Sequence, residues 1–233
     1  DPTRVLRAAR YAARLAFDLA PEALDQVSAM LLTWPWTWRV GEPPDEAPPA
    51  LGTRLRMELQ LLLDREPWPL ALALLQRWGG LGIVDQCLQQ SVGWQSRLHW
   101  ARRLQVPMLV ALVANAGDPC GLASRLHLPE RHRRWLHQML DLEAALPPLW
   151  TAQRPSAWAL LCEASGRSPQ ATALAVLRGV EPRHPLLRWW LHWRHVSSPV
   201  TAQQLMDAEG LAAGPALGQR LRQLRDQQLD RLA

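Results

Sequence analysis

The run Asp1-Pro2-Thr3-Arg4-Val5-Leu6-Arg7-Ala8-Ala9-Arg10-Tyr11-Ala12-Ala13-Arg14-Leu15-Ala16-Phe17 decides how this chain is read. Its opening is an N-cap followed by proline in the first helical turn, where the missing N–H has no partner to lose. Leu6, Ala9, Ala13 and Phe17 recur at helical spacing, so a Leu/Ala packing face is expected to continue to about Leu19. Steps of three turn a helix by about −60°, which gathers Asp1, Arg4, Arg7, Arg10 and Arg14 into a slanting, mostly basic stripe beside that face. Spacing alone makes such a stripe a solvated face. The functional alternative is a triphosphate site, because each guanidinium offers a planar fork to phosphate oxygens.

Outward from this run the composition is helical. Leu, Ala and Arg dominate the 233 residues and Gln is frequent, with one Phe, one Tyr and thirteen Trp. An all-α protein closed by Leu, Ala and Trp is expected. All 26 basic residues are Arg and the net charge is +5. That surface suits a polyanionic partner without proving one. Cys87, Cys120 and Cys162 are scattered, with no Cys-x-x-Cys or Cys/His metal spacing, which fits a reducing, cytoplasmic setting. No apolar run approaches the roughly 18 residues a bilayer span needs, and the first residues are unlike a signal peptide.

Proline and glycine punctuate the rest. Pro21 opens a second helix, and the Trp34–Pro49 segment, rich in Trp and Pro, reads as an extended acidic loop. Helices are expected from Gly52 to about Asp64 and from Trp68 to Trp78, with a boundary at Gly79-Gly80. Further helices are expected at 84–90, 94–104, 108–115, 121–126 and 129–146. A last group covers 156–165, 169–179, 185–195, 201–209 and 215–232. Three consecutive helical parts result: residues 1–78, 79–150 and 151–233.

The His132/His137 and His192/His195 pairs lack a third ligand, so no metal site is expected. Arg131-His132-Arg133-Arg134 is the better candidate for RNA phosphate contact, against a solvated charged face. Trp189, Trp190, Trp193 and Trp135 adjoin arginines and could stack bases; filling gaps between helices is the adopted reading. No Walker-type loop, GxGxxG or Ser/His/Asp arrangement appears.

Three stretches carry a resemblance. The opening run resembles the motif E-D-P-x-R-h-L-R-A-x-R-F-A-A-R-L-G-F (h apolar) of class II tRNA nucleotidyltransferases, the family of CCA-adding enzymes and bacterial poly(A) polymerases. Gly52-Thr53-Arg54-Leu55-Arg56-Met57-Glu58-Leu59 is similar to the family's E-R-I-x-x-E-L, with Thr53 in place of the usual Glu. Val200-Thr201-Ala202-Gln203-Gln204-Leu205-Met206, then Gly210-Leu211, Gly214-Pro215-Ala216-Leu217-Gly218 and Leu221, looks like its tail pattern, with Ala202 and Gln204 replacing Gly and Asp.

The resemblance implies that the three parts are neck, body and tail, without the catalytic head. It implies that Asp1 and Arg4 read the base of incoming CTP or ATP, that Arg7 and Arg10 contact the nucleotide, and that Arg54 and Glu58 pair at i, i+4 to brace the neck. The intact enzyme would add CMP and AMP to the 3′ end of tRNA, with Mg²⁺ held by carboxylates of the head. This chain contains no Asp-x-Asp pair to replace them, so it is expected to be inactive alone. A start at the family motif's second residue reads as a fragment. The reading from a different class is a stand-alone, non-catalytic RNA-binding or protein-interaction scaffold.

Overall fold

The computed structural model describes residues 2–33, 51–146 and 154–231. Asp1 and the Trp34–Pro49 segment lie outside the described residues. Among those described, fourteen α-helices and a few 3₁₀ turns form the regular structure and no strand occurs, so the fold is all-α. No described helix is long and apolar enough to cross a membrane.

The chain forms two compact units: residues 1–137 with 177–179, and residues 138–176 with 180–233. In the first, α1 (Thr3–Leu15), α3 (Leu51–Arg65) and α4 (Trp68–Arg77) pack against one another, with α2 (Pro21–Thr33) beside them. Ala9, Ala12 and Ala13 on α1 are small enough to bring it close to its neighbours, where Leu55, Leu59 and Leu62 of α3 and Ala71, Leu72 and Leu75 of α4 are fully buried. After α5 (Gln86–Gln90) and α6 (Trp94–Leu98) comes α7 (Met108–Ala114), in which every residue is buried. A helix apolar on all sides belongs in an interior. Because α3 also packs against α7, residues 1–78 and 79–137 share one unit. α8 (Pro119–Arg125) follows, and α9 (Glu130–Ala145) contributes to both units.

Several boundaries differ from the periodic reading, the helix expected at 185–195 ending at Leu191 among them. α1 stops at Leu15 rather than near Leu19, because Ala16 adopts a left-handed conformation (φ 56°) and Phe17 N–H donates back to the Ala12 carbonyl at 3.2 Å. The chain then turns to place Asp18 where its carboxylate accepts the Trp78 Nε1 hydrogen at 3.1 Å. Residues 94–104 are helical only to Leu98, since turns and a left-handed Gln105 (φ 55°) take over before Pro107.

In the second unit α10 (Pro155–Glu163) packs on α12 (Arg183–Leu191) and α14 (Pro215–Asp230), with α11 (Pro169–Arg178) and α13 (Ala202–Glu209) completing it. Asp230 caps α10 from the far end of the chain. It accepts from Ser156 N and Ser156 Oγ, both at 2.9 Å, where Arg154 supplies no side-chain cap. Thr201 and Gln204 close a reciprocal capping box on α13. Trp158, Trp189, Trp190 and Trp193 are at most 5% exposed, so they are core residues and not stacking platforms for bases.

Gly52 opens α3 where the Arg125 carbonyl oxygen presses on it: a Cβ there would sit 1.9 Å from that backbone atom. We expect Gly52→Ala to destabilise the protein by about 1–3 kcal/mol, the usual cost of overpacking against groups that cannot yield. An unchanged urea midpoint would show that α3 and α8 do not approach this closely.

Candidate functional site

Three of the stripe arginines are engaged by carboxylates. Arg7 donates to Glu58 Oε1 from Nε at 3.1 Å and from Nη2 at 2.8 Å. Arg10 Nη1 donates to Glu58 Oε2 at 2.6 Å, and its Nη2 to Glu66 Oε1 at 3.3 Å. Arg14 closes the row, donating from Nε to Glu66 Oε2 at 2.9 Å and from Nη2 to Glu66 Oε1. The result is an alternating ladder, Arg7–Glu58–Arg10–Glu66–Arg14, between α1 and α3, with Glu58 at the middle of α3 and Glu66 just past its end. Its centre is dry: the side chains of Arg10, Glu58 and Glu66 are 10%, 9% and 1% exposed.

Burial pushes the Glu58 carboxyl up, but the hydrogen bonds and charges of Arg7 and Arg10 outweigh it and hold the group below its ordinary value of 4.5. The hydrogen bond from Arg14 leads in lowering Glu66, with Arg10 adding to it against burial. Both are carboxylates at neutral pH.

This geometry corrects one pairing. Glu58 meets Arg7 and Arg10 across the helix interface, not Arg54, which is exposed one turn away on the outer face of α3. Glu58 lies among Leu55, Leu59 and Leu62 on the buried stripe, so its carboxylate points to α1. Glu66, absent from the sequence reading, holds the ladder's other half. The signal for it was a second carboxylate eight residues after Glu58, placed where the same apolar stripe ends.

Arg4 has a different setting. It is exposed, has no ion-pair partner among the described residues, and lines a cleft of about 330 Å³ between α1 and α2. Val5 and Ala8 form one wall, Ala23, Val27 and Met30 the other, and Gln26 supplies an amide. Asp1, its expected companion, lies outside the described residues.

On α9, Arg131 and Arg134 are exposed, and Arg131 Nε donates to His132 Nε2 at 3.1 Å. Arg133 pairs with Glu130 one turn earlier. Burial, then the Arg131 charge, lowers the His132 pKa, so this ring is neutral at pH 7. Among the described residues, then, the four-residue cluster presents two cations without a carboxylate rather than three.

No family model and no curated protein matches the sequence. Solved structures do share its fold. A Thermotoga maritima CCA-adding enzyme complexed with tRNA superposes with a TM-score of 0.67 at 14% identity, covering 99% of this chain and 57% of that one. A CCA-adding enzyme with ATP gives 0.68 at 15% identity, covering 99% and 56%. A tRNA-processing enzyme complex gives 0.65 at 18% identity, covering 98% and 62%. Over nearly its whole length, then, the chain has the helical fold found in CCA-adding and tRNA-processing enzymes, while spanning little more than half of theirs.

Removing Glu58 leaves Arg10 buried with half its compensation. We expect Glu58→Ala to cost about 3 kcal/mol, the low end for breaking a buried pair because Glu66 remains. Arg54→Ala should stay within about 0.5 kcal/mol. Equal losses in urea unfolding would restore the i, i+4 pairing. Because the folded Glu58 value lies below 4.5, the unfolded chain binds more protons in acid. The stability gap between wild type and Glu58→Gln should therefore be full at pH 7 and close as pH falls through the depressed value.

Proposed function

We propose that this chain is the neck, body and tail of a cytoplasmic tRNA nucleotidyltransferase of the CCA-adding type. In this reading it selects the incoming CTP or ATP at one end and holds tRNA along its cationic surface. What supports the reading above all is the shared fold over 98–99% of the chain, joined to three sequence stretches resembling that family in the same order.

Within this reading the residues divide their work. Arg4, with Asp1, faces the nucleotide, since a guanidinium without a carboxylate partner is free to donate to ring acceptors or phosphate oxygens. Arg7 and Arg10, expected as nucleotide contacts, hold α1 in place through Glu58, and Arg7 keeps part of its surface open to a ligand. Arg131 and Arg134, with Arg133, give the body a phosphate contact. In this reading the Mg²⁺ that the chemistry employs is held by carboxylates of the head. With no Asp-x-Asp pair in its sequence, the chain alone is expected to incorporate no labelled CTP or ATP.

The test is fluorescence anisotropy with labelled tRNA lacking its CCA end, across a salt series. The chain should bind, and changing Arg131, Arg133 and Arg134 to Ala should flatten the log–log salt slope by roughly 0.7 to 0.9 for each phosphate no longer neutralised. Arg4→Ala should leave that slope alone yet weaken ATP or CTP binding about tenfold, as loss of a charge-assisted hydrogen bond does. Failure of the wild-type chain to bind tRNA would overturn the reading.

A further inference from the structure

The second unit holds an open cleft of about 490 Å³ that the proposed function leaves unused, bordered by Glu163, Trp189, Arg194, His195 and Arg225. Its two arginines stand in opposite states. Arg225 has its whole fork engaged: Nε donates to the Val196 carbonyl at 2.8 Å, and Nη1 and Nη2 to Glu163 at 2.6 and 2.7 Å. Glu163 is matched in turn, accepting also from Trp189 Nε1 at 3.1 Å.

Arg194 is unmatched. Its guanidinium lies 3.7 Å from the ring centre of Trp190, and Trp190 is itself buried. Its Nε donates to His195 Nε2 at 3.1 Å, and among the described residues no carboxylate pairs with it. The indole fixes the plane of the guanidinium and the histidine engages its Nε, which leaves the two Nη groups without a hydrogen-bond partner among the described residues, in a side chain that lines the cleft, at low entropic cost. With Nε2 accepting, a neutral His195 carries its proton on Nδ1, a second donor at the exposed rim. Burial alone draws the Arg194 pKa down.

We infer that this cleft is a phosphate subsite for the RNA backbone, in which Arg194, stacked on Trp190, receives one phosphodiester and His195 assists. The inference rests on the proposed function, and it moves part of the RNA grip from α9 to the turn after α12. A single unmatched fork suits one phosphate. The open cleft suits a chain that continues past it rather than an enclosed small molecule.

The experiment compares wild type, Arg194→Ala, Arg194→Lys and Arg220→Ala by anisotropy with a labelled acceptor-arm minihelix in a salt series. Arg220 already pairs with Glu209, donating to it from Nε and Nη2 at 3.0–3.1 Å, and so serves as the matched control. Arg194→Ala should weaken binding several-fold and lower the slope by roughly 0.7 to 0.9. Arg194→Lys should recover most of the slope, and Arg220→Ala should leave it near wild type. Arg194→Ala gives up its stacking on Trp190, so its unfolding midpoint should fall modestly; binding is compared where every variant is fully folded, which separates weaker RNA binding from a damaged fold. If wild type binds and Arg194→Ala keeps its slope, the subsite is wrong while the proposed function stands. If wild type does not bind, both fall. Inorganic phosphate, followed by Trp emission, provides the last arm: an Arg194-dependent response to phosphate with none to RNA would make this a free-phosphate site and overturn the RNA assignment.

Discussion

Everything in the first unit turns on how Glu58 and Glu66 fasten the basic face of α1. Two carboxylates and three guanidiniums share a seam that is dry at its centre and open at its ends, and the Arg10 side chain sits between both anions. Such a seam is not chiefly a source of stability, since desolvating its charges offsets much of their attraction, and Arg10 Nε is buried without any hydrogen bond. Its effect is on register. Ala9, Ala12 and Ala13 make a smooth surface that would tolerate several rotations of α1 against its neighbours. One rotation alone brings Arg7, Arg10 and Arg14 to the carboxylates. That rotation leaves Arg4, one turn earlier, over the cleft shared with α2.

The second unit handles its charges in the same manner. Glu163 and Arg225 neutralise each other, Asp230 is committed to the start of α10, and Trp158, Trp189, Trp190 and Trp193 are buried. Arg4, Arg131, Arg134 and Arg194 are among the arginines without a carboxylate partner among the described residues, and in the proposed reading these four meet the anionic partner.

Much of the fold was legible because helix signals here are local. Proline at the first turns of α2, α10, α11 and α14, and apolar spacing along α1 and α3, place most helices within a few residues. Ala16 was not legible, because a left-handed alanine is set by where Asp18 must reach, and nothing local in alanine favours it. Nor was the sharing of one unit by residues 1–137, since it depends on α3 touching α7, two segments about fifty residues apart. The site was half legible. Spacing found the stripe of Arg4, Arg7, Arg10 and Arg14, but i, i+4 geometry offered Glu58 the nearest arginine on its own helix. The apolar residues around Glu58 send its carboxylate the other way, and only the packing of α1 on α3 supplies Arg7 and Arg10. Glu66 escaped for the same reason.

The central claim is that α1 is clamped to α3 through Arg10, and a double-mutant cycle on Arg10 and Glu58 tests it most directly. Unfolding free energies of wild type, Arg10→Ala, Glu58→Ala and the double variant should give a coupling of about 1.5 kcal/mol or more, as for residues in one buried network. A coupling below about 0.5 kcal/mol, the value of an exposed surface pair, would contradict the clamp.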